Sequence, residues 1–489
     1  MHPRALPFAL ALALATGCAA YAPFRCPARG GAAWRELSTP GFVVRTDLPE
    51  PEARALVLAL ERLDAVVNAA LLEGPPPRGE PLPVVVFRSW RELRDVAGSE
   101  ETLAFYLASP DGDEAIVMWG ALAEESRASI AHELTHRALA RRYPRLPPWF
   151  SEGTASFMES LGRELPGASA SLGGIPKRFG RTRIRVPAAT ILRASSLREP
   201  GYGTAWALVY LLHLSYRAEL GALEARYARG EDPAEAWRAV FPRWDPAEPA
   251  HMRALDAELR SVVGGGPRGY PVERLSIPVG VPSTEVAISS RPLGPAEAHG
   301  LRLSLRRGPV RAEEVAAIEA ELEEALAEDP GSVVALSAAA RFHPAQAAEL
   351  ARAATRAHPD DPRAWRLLAR HLPDANAAGR EYALRRALSL SPDHPGALAL
   401  LAGILLAQDR PADALLLGQR AVELAPWNPL AQAALGRAQD GLGLCTAALA
   451  SVTRAVELVG DGRDDLRDAL TAQRAAIRDR CDAAGRPLP

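Results

Sequence analysis

The chain has 489 residues, too many for one hydrophobic core, so two or three domains are expected. Hydrophobic residues make up 48% and charged residues 24%, an ordinary globular mix that excludes a collagenous or wholly disordered chain. The formal net charge is −2, so there is no general basic field and nucleic acid is not an expected partner.

At the amino terminus, Arg4 precedes a short apolar run from Leu6 to Ala15, too short to span a bilayer and of secretory-signal length. Ala15-Thr16-Gly17-Cys18 ends it and resembles a bacterial lipobox, which implies cleavage before Cys18 and a lipid on that cysteine. A plain secretory signal is the alternative. Ala19 is uncharged, which by the lipoprotein sorting pattern favours the outer membrane. Residues 1–17 are therefore expected to be a signal peptide and 18–35, rich in Pro, Gly and small residues, a tether. Either way the protein is expected to be exported to the cell envelope, where disulfides persist.

The fold is expected to begin with Phe42–Thr46 as a strand, followed by a helix from about Glu50 to Leu72 with Leu56, Leu60, Leu63 and Val67 on one face. Pro83–Phe87 reads as a buried strand, Ser89 caps a short helix, and Leu103–Ser109 and Glu114–Trp119 read as two further strands. Strands first and helices next is an α+β order.

The chemistry is concentrated in His132-Glu133-Leu134-Thr135-His136. Residues four apart share one helix face, about 5–6 Å apart at Cβ, so the two imidazoles can converge on one small cation. Glu133 lies one step round, where a carboxylate can act as general base toward water on that cation. A catalytic zinc of this kind takes three protein ligands and keeps a fourth position open. After a break at Tyr143-Pro144 the chain reads Pro147-Pro148-Trp149-Phe150-Ser151-Glu152-Gly153-Thr154-Ala155-Ser156-Phe157-Met158-Glu159, a second helix by its early prolines and apolar spacing. Glu152, able to face back toward the first helix, is the expected third ligand.

The pair HELTH and PPWFSEGTASFME resembles the gluzincin metallopeptidases, in particular the peptidase MA-like family, often found with helical repeats. The second segment is also similar to the glutamate helix of aminopeptidase N-like enzymes. The resemblance covers roughly residues 36 to 263 and implies a zincin-like domain that hydrolyses peptide bonds with Zn2+ on His132, His136 and Glu152. Leu139 and Arg142 stand where a metzincin would need Gly and His, so that branch is excluded. The Gly-x-Met-Glu-Asn motif of aminopeptidases is absent, which argues for endopeptidase-like action. The resemblance also implies that a strand before the metal helix, here residues 114–119, pairs with an extended substrate; a strand covered on both sides is the alternative. It further makes Tyr202, at the start of the helix Tyr202 to Leu212, a donor to the developing oxyanion, against the alternative of a packing aromatic. His213 on that helix reads as structural, and Lys177–Arg185 as a solvated face or a rim of the cleft.

Gly264-Gly265-Gly266-Pro267 breaks the helices, and 264–308 reads as a Pro/Gly-rich connector with a possible small hairpin. Beyond it, Arg386-Ala387-Leu388, Arg420-Ala421-Val422 and Arg454-Ala455-Val456 recur at 34 residues, the period of tetratricopeptide repeats. Residues 309–489 are expected to form an all-α solenoid whose concave face binds a protein partner, or which serves as a rigid spacer or lid. Cys445 opens one helix of this region and Cys481 closes the next, so a Cys445–Cys481 disulfide is expected, leaving Cys26 on the tether. The reading that competes with a lipid-anchored zinc peptidase is an inactive peptidase-like scaffold acting through its repeats; hydrolysis of a non-peptide amide would use the same ligands.

Overall fold

The computed structural model describes residues 25, 27, 30–71, 81–97, 104–108, 114–120, 124–143, 145–163, 169–172, 174–176, 179, 184–194, 197–198, 200–263, 275–278, 286–306, 310, 312–459 and 464–483. The expected signal peptide, Cys18, Cys26 and most of Lys177–Arg185 lie outside these residues.

Strands β1 (Arg35–Ser38) and β2 (Phe42–Thr46) form an antiparallel pair, and helix α1 (Glu50–Leu71) crosses over to β3 (Leu82–Phe87), parallel to β2. Helix α2 (Trp90–Ala97) and β4 (Ala104–Ala108) lead to β5 (Glu114–Trp119), which is parallel to β3 and antiparallel to β4. The register sets Val44 beside Val84 and Val84 beside Ile116. Because side chains alternate along a strand, that row shares one face with Phe42, Val86 and Met118 in the main core. Val85, Phe87 and Val117 point the other way into a second core. The run Leu82 to Phe87 is therefore apolar almost throughout, as a strand covered on both faces must be.

Helix α3 (Glu124–Arg142) lies on the main-core face and buries Ile130, Ala131, Leu134, Ala138 and Leu139 there. Then follow α4 (Pro148–Met158), a 3-10 turn at Glu159–Arg163, β6 (Ser169–Leu172), α5 (Ala188–Arg193), α6 (Gly201–Ser215), α7 (Arg217–Ala228), α8 (Pro233–Val240) and α9 (Pro249–Val263). Their core is aromatic: Trp149, Phe150, Phe157, Trp206, Tyr210, Tyr227, Trp237 and Phe241 are all buried. α6 is buried along most of its length, and Gly153 of α4 lies against it. A Cβ on Gly153 would sit 2.6 Å from the Ala205 carbonyl oxygen and 2.8 Å from Val209, so only glycine permits this approach.

The described parts of 264–308 are folded into the first domain, which corrects the connector expectation. β7 (Leu275–Pro278) pairs with β6 in an antiparallel ladder. β8 (Ser289–Pro292) pairs with β1, completing a six-stranded sheet in the order β4-β5-β3-β2-β1-β8. Helix α10 (Pro295–Leu305) then covers the second face with Ala298, Leu301 and Leu305 against Trp34, Val85, Phe87 and Val117. The physical reason is that this face is apolar and needs a covering layer. A second correction concerns residues 114–119. They form β5, which sits inside the sheet, and the strand with an outer edge beside it is β4.

The rest is helical: α11 (Ala312–Glu328), α12 (Val333–Phe342), α13 (Ala347–Ala357), α14 (Pro362–His371), α15 (Ala377–Leu390), α16 (Pro395–Ala407), α17 (Pro411–Leu424), α18 (Pro429–Gly441), α19 (Cys445–Glu457) and α20 (Asp464–Ala483). The repeat is written in its caps. Asp361, His394 and Asn428 each accept hydrogen bonds from the first-turn amides of α14, α16 and α18, and each is followed by a proline at the first helical position. Here the core is alanine and leucine, including Ala397, Leu401, Ala402, Leu405, Ala414 and Ala421. Cys445 and Cys481 form a disulfide, with 5.9 Å between their Cα atoms, between the first turn of α19 and the last turns of α20.

Candidate metal centre

On α3 the buried residues at 130, 131, 134, 135, 138 and 139 leave His132, Glu133 and His136 on the half-exposed side. On α4 everything from Trp149 to Met158 is buried except Ser151 and Glu152, so its one open face carries the carboxylate. That face meets α3. The Nε2 atoms of His132 and His136 are 3.1 Å apart, and Glu152 Oε2 lies 3.4 Å from the first and 3.6 Å from the second. Among the described residues, these three form the one group of His, Cys, Asp or Glu with metal-holding spacing.

A tetrahedral ion with bonds of about 2.0–2.1 Å sets its ligand atoms about 3.3–3.4 Å apart. The three edges, 3.1, 3.4 and 3.6 Å, lie within about 0.2 Å of that spacing. Two imidazoles and one carboxylate are also the donor set of a catalytic zinc, and unlike the all-oxygen cages of calcium.

Two further side chains orient the ligands. Glu159 Oε1 is 2.9 Å from His132 Nδ1, and Ser151 Oγ is 3.0 Å from His136 Nδ1. With each Nδ1–H donating outward, both Nε2 atoms face the shared point, and an ion bound there would take the place of the proton that the neighbouring carboxylates otherwise hold on His132. Sequence reasoning assigned neither residue a role. The signal was present: Glu159 follows Glu152 by seven residues, two helical turns, and so falls on the same side of the segment.

The charges favour a cation at this point. Burial alone would lower the His132 imidazole, but hydrogen bonds to Glu152 and Glu159 outweigh it and raise it to about 9. Burial alone would raise the Glu152 carboxyl, yet His136 and His132 hold it well below the usual carboxylate range. Glu133 is half-exposed one position beyond His132 and adds to the negative field on that imidazole.

Tyr202 sits in the first turn of α6, half-buried, and packs against the main core. His213, at the other end of α6, stacks on Phe157 with ring centroids 4.7 Å apart and planes 10° from parallel. Burial, helped by Arg217, lowers its imidazole to about 4, so it is neutral, and it is not among the residues with metal-holding spacing.

No protein-family model and no curated protein matches the chain. Among solved structures it is similar to that of MamA, with 18% identity over 30% of this chain and 88% of that one and a TM-score of 0.26. It is also similar to TTC0263, a thermophilic TPR protein in Thermus thermophilus, with 18% identity over 36% of this chain and 96% of that one and a TM-score of 0.29. Yeast Tom70 matches at 12% identity over 73% of this chain and 64% of that one, with a TM-score of 0.32.

Proposed function

We propose that the protein is a zinc-dependent, endopeptidase-like hydrolase of the cell envelope, of the gluzincin type, with a repeat domain that docks substrate or partner. The observation that carries this reading is the triangle of His132, His136 and Glu152 together with the outward hydrogen bonds of both imidazoles. Zinc held there would supply a Lewis acid that polarises a scissile carbonyl and acidifies water. Glu133 is suited to take the proton from an attacking water and to return it to the leaving amine. Tyr202 is assigned the hydroxyl that donates to the developing oxyanion, a contribution of about 2.7–4 kcal/mol for one such donor. An extended peptide would add to the outer edge of β4, the strand that borders β5.

Export and a lipid anchor on Cys18, at the outer membrane, complete the proposal. Cys18→Ser is expected to move the protein from the membrane fraction to the soluble one; unchanged partitioning removes the anchor.

The test of the chemistry is a pair of variants assayed on a peptide library with and without a chelator. Glu133→Gln should retain zinc and lose turnover by about 10²–10⁴-fold, the worth of a positioned base. His132→Ala should lose both metal and turnover. Hydrolysis that survives Glu133→Gln, or that ignores the chelator, removes the assignment.

A second reading is favoured by the regular, capped helix pairs from α12 to α19: an adaptor in which the first domain is structural and the repeats bind a protein partner. In that case wild-type protein would bind zinc without turning over any member of the library.

A further inference from the structure

The repeat array touches the first domain at two places, far apart in the chain. Its leading end is fastened by α10, packed on the sheet. Its trailing end returns to the turn between α3 and α4, the hairpin that carries all three ligands. Arg145, in that turn, bridges Asp232 of the first domain at 3.0 Å and Glu457 of α19 at 2.7 Å. One turn back, the Arg141 guanidinium lies 5.7 Å from the ring centre of Trp427, just before α18.

The seam round this contact is open. A cavity of about 540 Å³ and another of about 650 Å³ are both lined by Arg145 and Glu457. The ion pair is therefore a strut between two open spaces.

Resting on the metal-centre reading, we propose that Arg145 is a positioning residue for that centre, and that the repeat domain, through Glu457, sets the angle between the two ligand helices. His136 is nine residues before Arg145 and Glu152 seven after it, so a shift of the turn moves the imidazoles and the carboxylate relative to each other. Occupancy of the repeats by a partner would then tune metal affinity from more than 300 residues away in sequence.

The experiment uses the full mature chain and Co2+ alone as probe, read by its visible absorption band and by affinity in chelator competition. Glu457→Gln and Arg145→Ala should each weaken Co2+ binding by roughly two- to fivefold, the worth of one exposed ion pair, and alter the band. The double variant should be close to Arg145→Ala, because that variant has already lost the Glu457 pair along with the Asp232 pair. Thr453→Ala lies in the same turn of α19 and lines the same cavity but keeps Arg145, Arg454 and Glu457 in place, so it should leave the band unchanged. A Glu457→Gln protein with wild-type affinity and band overturns the inference while leaving the metal centre intact. Wild-type protein that does not bind Co2+ overturns both.

Discussion

The two halves of the molecule hold themselves together in different ways. Around the metal centre the core is built from large aromatic side chains: Trp149, Phe150, Phe157, Trp206, Tyr210 and Tyr227 interlock with edge and stacked contacts, and Gly153 lets two helices touch at backbone distance. In the repeats the core is alanine and leucine, renewed every 34 residues, with each helix pair resting on its neighbours. A site that must hold three atoms at 3.1–3.6 Å needs the first kind of packing, where one group cannot move without moving several. A docking array needs only the second, because its stability is a sum of similar interfaces.

The contrast can be broken most forcefully at Phe157. Phe157→Ala removes a fully buried ring from the core side of the carboxylate helix and is expected to cost about 3–5 kcal/mol in unfolding free energy, with loss of metal in the same preparation. Retained metal at that loss of stability would show that the ligand helices are held by something other than the aromatic core.

Next in size is the staple of the array. Replacing Cys445 and Cys481 together by serine opens a loop of sequence separation 36 and should destabilise the repeats by about 2–4 kcal/mol, measured by denaturant unfolding. The metal affinity of the folded protein should change far less, which separates the two regions; equal loss in both would mean they unfold as one unit.

Glu159→Gln sharpens the site itself. It keeps the shape while weakening the grip on His132 Nδ1, and should lower zinc affinity by about 10–100-fold, read by chelator competition, with little change in melting temperature. An unchanged affinity would remove Glu159 from the support of the centre.

The smallest effect is one of pH, measured on metal-free protein. His213 is neutral in the folded state down to about 4, whereas an unfolded histidine takes a proton near 6.5. Its contribution is therefore complete above about pH 6.5 and is lost as pH falls from there toward 4, since only the unfolded state binds the proton in that window. His213→Phe should flatten the fall in melting temperature between pH 7 and 4.5. Identical pH profiles would place the acid sensitivity elsewhere.

Much of this was legible in the residues, for a physical reason. Helical periodicity is local, so HELTH puts His132 and His136 on one face, and the prolines and apolar spacing after Tyr143 place Glu152 on a second helix. The repeat period and the pairing of Cys445 with Cys481 follow from short-range pattern in the same way. Sheet order does not. Nothing near Glu114–Trp119 states that β4 will fold back beside it and take the edge, and nothing near Ser289–Pro292 states that it will pair with β1, more than 250 residues earlier.

The sequence by itself determined the three candidate metal-holding residues, the helices that carry them and the repeat, because each is set by local pattern. The tertiary structure alone decided that Glu159 and Ser151 orient the imidazoles, that β8 and α10 close the first domain, and that the last repeats reach Arg145. Those are contacts between distant segments, chosen by which apolar faces must be covered and which charges then meet.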